Sequence, residues 1–492
     1  MARTPRIVVI GAGVGGLAAA ARLAARGADV TVLERGPTPG GKMRVVEIEG
    51  ALIDAGPTVV TMRWVFEDLF AACGEDFSSS VRLVRAGALA RHVWRDGAAL
   101  DLYADVERNA EAIRAFAGTK EAAGYVAFAR AAARAYDALD APFIRAARPS
   151  PNQLVRRIAR QSPAGLFAFS PFSTYWRQLE KHFKHPRLKQ LFGRYATYCG
   201  ASPYEAAATL IVVPHVEREG SWLVEGGMRA LALALADLAN RQGAQLRYGC
   251  EVARIGGPAG ARHVETTQGE RFEADAVVFN GDVGALASGL LGESARRAAP
   301  APAPASLSAL TWCLKAPAGA PWLRHNVMFG EDYAEEFDAV FARHALPQDP
   351  TIYVCAQDRE TGGSAPEERL FVLVNAPAHN PQSPLSTQEI DRCEQTIAAA
   401  LRRCGAPVDF SRAVRTTPAQ FASLYPGSRG ALYGAPPHGW KASFARAGAR
   451  TVLPGLYLAG GTVHPGPGVP MAILSGAQAA AAAAQDLGLT ST

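Results

Sequence analysis

Residues Arg6 to Ile10 form a short apolar run that opens directly on Gly11-Ala-Gly-Val-Gly-Gly16 and then on a helix-forming stretch from Leu17 to Arg26. This order predicts a strand, a tight glycine turn and a helix, the opening unit of a Rossmann-like α/β fold. Gly11 permits the turn and Gly13 lets the backbone approach a pyrophosphate. Gly16 allows the helix to lie close on the strand, with the helix N-terminus facing the phosphates. Asp29 to Leu33 predicts a second strand. It runs into Glu34, 18 residues after Gly16, where a carboxylate accepts hydrogen bonds from an adenosine ribose and disfavours a 2′-phosphate. The uncharged stretch Ile7 to Ala21 also has the apolarity of a signal-peptide core, but its glycine pattern argues for the nucleotide-binding unit instead.

NAD and FAD both suit this unit. The segment that follows, Arg35-Gly-Pro-Thr-Pro-Gly40-Gly41-Lys42-Met43-Arg44, favours FAD, because a glycine pair and a basic residue shortly after the acid resemble FAD-dependent oxidoreductases. Lys42 and Arg44 are expected to approach the pyrophosphate. Gly36 to Lys42 nearly spells a phosphate-binding P-loop, yet Met43 stands where Ser or Thr would hold Mg²⁺, which excludes a nucleotide hydrolase of that type.

A second glycine-rich loop lies near the other end. Gly455-Leu-Tyr-Leu-Ala-Gly460-Gly461-Thr-Val-His464-Pro-Gly-Pro-Gly-Val-Pro470 leads into a helical run from Met471 to Asp486. Pro470 suits a first helical turn because it has no N–H to leave unsatisfied. The N–H groups of Val469, Met471 and Ala472, with the helix dipole, are expected to face an electron-rich ring; a reduced flavin, negatively charged at its pyrimidine end, would be favoured there.

With 492 residues, the chain has material for two or three domains at roughly 100–200 residues each. Apolar residues are 49% and charged residues 20%, a folded composition. The net charge of +6 is local: between Arg145 and Arg194 there are 11 basic residues and one acid, Glu180. The rest of the chain is acidic on balance, so a general polyanion binder and a nucleic-acid partner are not expected. In the basic segment, Leu154, Val155, Ile158, Leu166, Phe167, Phe169, Phe172, Tyr175, Trp176 and Phe183 interleave with the cations. That mixture suits contact with an anionic membrane surface, or a helix packed by its apolar face. No run reaches the ~18 apolar residues of a membrane span. The seven cysteines are scattered, as in a reducing compartment. The pair His182 and His185 sits among cations, so no metal site is expected. Seven Lys against 44 Arg fits a GC-rich bacterial genome.

The chain resembles bacterial carotenoid desaturases of the phytoene desaturase type. The residues that carry the resemblance are the N-terminal flavin motif, Asp54-Ala-Gly-Pro-Thr58, Trp222-Leu-Val-Glu-Gly-Gly-Met-Arg-Ala-Leu231, Asp275-Ala-Val-Val-Phe-Asn-Gly-Asp282 and the His464-Pro-Gly-Pro-Gly468 loop. They span both ends and the middle. Phytoene desaturases typically read Gly-Ala-Gly-Thr-His-Pro-Gly-Ala-Gly at that loop, whereas Gly-Gly-Thr-Val-His-Pro-Gly-Pro-Gly before Val469-Pro-Met is similar to desaturases of hydroxylated acyclic carotenoids, the hydroxyneurosporene or methoxyneurosporene branch. The resemblance implies that Gly56 and Thr58 touch the cofactor and that Val252 brackets the adenine through its backbone. Many flavoproteins place Asp where Gly461 stands, so that contact to the ribityl chain is not carried over.

The resemblance implies an FAD-dependent enzyme that introduces a C-3,4 double bond into a 1-hydroxylated acyclic carotenoid. One hydrogen leaves as hydride to flavin N5 and the other as a proton, with O₂ or a quinone as final acceptor. Phytoene desaturase, carotene isomerase and amine oxidase activities share the fold, and a non-catalytic flavin-stabilised membrane binding protein is the alternative from another class. His464 and Asp54 are the candidate bases, although Asp before Gly-Pro is commonly a turn residue. Asn280 and Asp282 close a strand, Ala276 to Phe279, at the edge where α/β sheets bind ligands, with Asp282 expected to cap a helix. Residues 244–255 predict a strand, a turn and a second strand. The expected organisation is a discontinuous FAD-binding domain from 1–105, 220–300 and 415–492, a helical, basic membrane-contact and substrate region at 106–219 and a substrate domain at 301–414. A cytoplasmic protein, peripherally associated with the inner membrane, is the expected setting.

Overall fold

The computed structural model describes residues 3–148, 173–300, 303–360 and 366–489. Five parallel strands form one sheet in the order Leu456–Leu458, Ala276–Phe279, Arg6–Ile10, Asp29–Leu33 and Gln245–Arg247. Except for the edge strand Gln245–Arg247, the strands are largely apolar on both faces, as a covered parallel sheet requires. Ile7, Val9, Val30, Val32 and Val278 are buried in one layer, and Val8, Ile10, Leu33, Val277 and Phe279 in the other. Helix Val14–Ala24 lies on the first layer against helix Val469–Asp486. Gly476 lets the two backbones touch, since a Cβ there would fall 2.0 Å from the Gly15 carbonyl oxygen.

The two strands expected within 244–255 both form, but they join different sheets. Gln245–Arg247 ends the parallel sheet, whereas Val252–Gly256 starts a three-stranded antiparallel sheet with Arg262–Thr266 and Arg271–Ala274.

A seven-stranded sheet runs in the order Val414–Thr416, Ser308–Pro317, Glu367–Ala376, Ile352–Ala356, His325–Met328, Ala90–Val93 and Ala99–Leu102. The hairpin 90–102 belongs here, although its position within 1–105 suggests the nucleotide-binding part. Leu100 and Leu102 find their cover among the helices that follow, together with Phe329. Apolar alternation fixes which face of a hairpin is buried, not which sheet it joins. One face of this sheet, with Leu310, Trp312, Met328, Val354 and Val372, packs on Ile390, Ile397 and Leu401 of helix Thr387–Arg403. The opposite face, with Cys313, Cys355 and Phe371, meets Val46, Ile53 and Ala55 from the chain after the first motif.

Helices Val106–Ala117, Thr119–Leu139, Tyr175–His182, Pro186–Gly193 and Val212–Glu219 share an aromatic core. Tyr175 and Phe183, expected as candidates for a lipid-facing surface, are 0% exposed within it. Trp176 is half-buried and lies 4.4 Å from the ring of Tyr204. These three residues are core and packing elements, because the same aromatic pattern satisfies a helix interior. Leu154, Val155, Ile158, Leu166, Phe167, Phe169 and Phe172 lie outside the described residues. His182 and His185 set their rings against Phe128 and Phe116. Among the described residues no helix is long and apolar enough to cross a membrane.

Candidate active site

The two glycine loops of the sequence meet around one side chain. Gly11 donates its N–H to the Leu33 carbonyl at 2.8 Å and holds φ at +98°, a region that favours glycine. A Cβ on Gly16 would lie 2.1 Å from the Gly11 carbonyl oxygen, so close packing of helix on turn demands glycine there. Asn280 Nδ2 donates to that same carbonyl at 3.2 Å. Its Oδ1 lies 2.6 Å from where a Gly15 Cβ would be and 2.8 Å from where a Gly460 Cβ would be. Asn280 thus fills the seam between the first loop and the last. Its place at a strand end was legible in the sequence; its function as a wedge was not, because that depends on a loop 180 residues away.

Glu34 staples the first turn to the second strand. Its carboxylate accepts the N–H of Ala12 at 2.8 Å and of Gly36 at 2.7 Å. The Glu34 carbonyl accepts from Cys250, which brings the backbone before Val252 alongside. Gly40 donates to Ala12, and Gly41, at φ +58°, faces Gly13, where an added Cβ would come 3.2 Å from the Gly13 Cα. Gly13, Gly40 and Gly41 therefore form a backbone-only cradle.

Lys42 and Arg44 reach toward the 416–432 segment. Lys42 Nζ donates to the Leu432 carbonyl at 2.6 Å and lies over the Tyr425 ring. Burial lowers its basicity, opposed by Asp282. Arg44 donates to Thr416 Oγ1 at 2.7 Å, and its Nε has no hydrogen-bond partner among the described residues. Asp282 caps helix Val283–Ala287 by accepting from Gly284 at 2.9 Å. Its other oxygen is buried without a partner among the described residues, and burial raises its pKa despite Lys42.

Asp54 and Thr58 act on other parts of the fold. The Asp54 carboxylate accepts the Met228 N–H at 2.8 Å, and its main chain exchanges two hydrogen bonds with the Gln357 side chain. Burial pushes the carboxyl above the usual carboxylate range, against the N–H groups of Met228 and Arg229 and the charges of Arg324 and Arg369. Gly56 has no room for a side chain, since a Cβ would meet the Lys42 carbonyl at 2.0 Å. Thr58 Oγ1 lies 2.7 Å from the Tyr353 hydroxyl.

In the last loop, Gly460 has φ +105° and Pro470 sits in the first turn of helix Val469–Asp486. Val469 is buried and Met471 partly accessible. Arg446 braces the loop by donating to the carbonyls of Gly461 at 3.4 Å, Tyr433 at 3.2 Å and Ala435 at 2.8 Å. His464 is 1% exposed, with Nε2 2.9 Å from the Phe143 carbonyl and its ring edge-on to Phe143. Burial holds its pKa below the usual value, opposed by the carbonyls of Phe143 and Ala146. It locks the loop to the end of the helical region.

Several side chains near these loops are partly accessible and yet desolvated. Burial pushes the Cys199 thiol up to about 11 and the Tyr433 phenol up to about 12, although both residues retain accessible surface, as do Lys42 and Tyr353. The glycine cradle at a helix N-terminus, the carboxylate at the second strand's end and the half-buried charges Lys42, Arg446 and Asp282, the last with an unpartnered oxygen, fit a flavin dinucleotide.

Residues 14–484 match the flavin containing amine oxidoreductase family. The chain is 52% identical over 487 residues to a hydroxyneurosporene desaturase of Rubrivivax gelatinosus, covering 97% of this chain and 93% of that one. It is 46% identical to a hydroxyneurosporene desaturase of Cereibacter sphaeroides, covering 98% of each. A triple mutant of putrescine oxidase superposes with a TM-score of 0.64 at 14% identity, covering 97% of this chain and 98% of that one; at that identity the likeness speaks to the fold. From the clasped glycine loops and these matches together, the chain belongs to the flavin-containing amine oxidoreductases and is an FAD-dependent oxidoreductase.

Proposed function

We propose that the protein is a carotenoid desaturase that introduces the C-3,4 double bond into 1-hydroxylated acyclic carotenoids such as 1-hydroxyneurosporene and its methoxy relative. The observation that carries this reading is the likeness to two hydroxyneurosporene desaturases along nearly the whole chain. The clasped glycine loops support it, since desaturation needs a bound hydride acceptor.

In this reading Gly11, Gly13, Gly16 and Gly41 give FAD close backbone approach, Glu34 and Val252 hold the adenosine end, and Lys42 and Arg44 supply positive charge. Gly56, Thr58, Gly460, Gly461, Val469 and Met471 border the ring. Bound FAD supplies an acceptor for hydride. The chain's own residues bury the polyene, align its C–H bond and exclude water, work that needs no dedicated acid-base pair. We assign His464 and Asp54 to positioning, because both already hold backbone partners. The pieces 1–105, 220–300 and 415–492 form the FAD-binding part, less the hairpin 90–102, which we group with 301–414 as the substrate side.

A bilayer-resident substrate argues for a cytoplasmic protein peripherally bound to the inner membrane. Exposed Arg177, Lys181 and Lys184 within 145–194 supply charge for anionic lipid. The electron acceptor in this reading is O₂ or a quinone.

The test is anaerobic incubation of the purified flavoprotein with 1-hydroxyneurosporene in liposomes, following flavin and carotenoid absorption together. Flavin bleaching with a red-shifted carotenoid spectrum is the expected result. An unshifted chromophore with bound FAD overturns the assignment and directs the search to phytoene, isomerisation or amines; no turnover of any of these leaves a binding protein.

A further inference from the structure

The inward face of the seven-stranded sheet carries polar side chains where it approaches Thr58. Val327 pairs with His92 on one side and Tyr353 on the other, which puts His92, His325, Tyr353 and Cys355 on one face. Thr58 Oγ1, the Tyr353 hydroxyl and His325 Nδ1 form a chain with steps of 2.7 and 2.8 Å. His325 is 4% exposed, and its other ring nitrogen, Nε2, has no hydrogen-bond partner among the described residues.

Arg194, 5% exposed, donates from Nε to His92 at 2.9 Å and from Nη1 to the Tyr198 hydroxyl. Its Nη2 lies 3.8 Å from Glu217 and makes no hydrogen bond among the described residues. Arg194 is within electrostatic reach of His325, whose basicity falls through burial and then through Arg324 and Arg194, to about 3. Tyr198 keeps 39% of its surface accessible. Buried polar atoms in natural folds nearly always find partners, so the two orphans, linked through His92 on the strand beside His325, mark a place for a polar group of the ligand.

The substrate class supplies one such group. In a 1-hydroxylated carotenoid a single methylene separates the carbon bearing the hydroxyl from the nearer carbon of the C3–C4 bond. The hydroxyl must therefore sit beside the reacting bond, which in the reading above lies near the segment 54–58, packed on Lys42 and Arg44 just after the glycine cradle. We propose that His325, Tyr353 and Arg194 form the pocket that recognises this tertiary hydroxyl and sets the C3–C4 bond in register. Arg194 Nη2 donates to the C1 oxygen, which the hydroxylated and methoxylated carotenoids share, His325 Nε2 accepts the proton of the hydroxylated one, and Tyr353 fixes the imidazole tautomer by accepting from Nδ1 while donating to Thr58. These are positioning residues, and the assignment rests on the desaturase reading above.

The test compares kcat/KM for 1-hydroxyneurosporene and for neurosporene, which lacks the hydroxyl, in the same vesicles with wild-type holoenzyme, His325→Leu and Tyr353→Phe. Flavin content is measured for each. Wild type is expected to prefer the hydroxylated substrate by at least about 100-fold, since a site built to bond a hydroxyl leaves its groups unpaired with the analogue. His325→Leu should cut that preference by about tenfold or more, with bound flavin unchanged, and Tyr353→Phe by a smaller factor in the same direction. Equal turnover of both carotenoids by wild type, or variants that lose both activities in proportion, would overturn the pocket while leaving the desaturase reading intact. Wild type that desaturates neither carotenoid removes both. If His325→Leu is recovered without flavin, the preference of Tyr353→Phe decides.

Discussion

Asn280 and Gly460 are in contact through the one geometry a glycine allows: the Asn280 Oδ1 lies 2.8 Å from the position of a Cβ on Gly460, while Nδ2 of the same amide bonds the Gly11 carbonyl. The seam between the first and last loops is held from a strand end belonging to neither.

Asn280→Leu keeps the volume and removes the amide. The lost hydrogen bond should cost about 1–2 kcal/mol of stability, and the loosened seam should weaken FAD retention about tenfold or more. Flavin absorbance after gel filtration measures the second effect. Full retention would show that the wedge does not govern the cradle.

Gly476→Val tests the contact of the two helices. With 2.0 Å between the added Cβ and the Gly15 carbonyl oxygen, the helices must separate, at a cost of about 1–3 kcal/mol or more. A thermal unfolding midpoint equal to wild type would contradict that packing.

Asp54 bears on both mechanism and pH. Its native pKa is raised, chiefly by burial, so the folded state binds this proton more tightly than the unfolded chain. Its contribution to stability is present at pH below the ordinary carboxylate value and falls as pH rises through the raised native value. Asp54→Asn keeps an acceptor for the Met228 N–H and removes the titration, so urea midpoints should depend less on pH in that window than in wild type. Turnover should persist, whereas loss of turnover in a folded, flavin-loaded Asn variant would make Asp54 a proton carrier. Asp54→Leu, which leaves the Met228 N–H without its acceptor, should cost about 1–3 kcal/mol.

His464 titrates in the opposite sense. Its native pKa is depressed below 6.5 by burial, so the unfolded chain takes up the proton first and stability falls as pH drops from the ordinary value toward the native one. His464→Gln should remove that part of the acid sensitivity. It should retain both FAD and turnover if the imidazole only ties the loop to Phe143, and turnover measured under flavin-saturating conditions checks this.

The local units of this fold were legible because local chemistry determines them. The strand, turn and helix from Arg6 to Ala24, the helix after Pro470 and the Asp282 cap each depend on residues a few positions apart. What was not legible depends on pairings across long stretches of chain. Alternation in 90–102 did not tell which sheet the hairpin joins. The aromatic pattern of Tyr175 and Phe183 read equally as lipid-facing and as core, and the core took them. His325 lay in no motif, and its contact with the Tyr353 hydroxyl follows from the pairing of two strands distant in sequence.

The parallel sheet gathers strands from residues 6–33, 245–279 and 456–458, which sets an order of events during synthesis. The segment carrying Gly460 and the helix beyond it leaves the ribosome long after the first turn. Until it does, Asn280 has only one of its two loops to hold, and the apolar flank of helix Val14–Ala24 that packs on Val469–Asp486 is uncovered. Nascent chains halted before residue 456 should therefore engage chaperones and emerge without flavin, however well their glycine turn is formed.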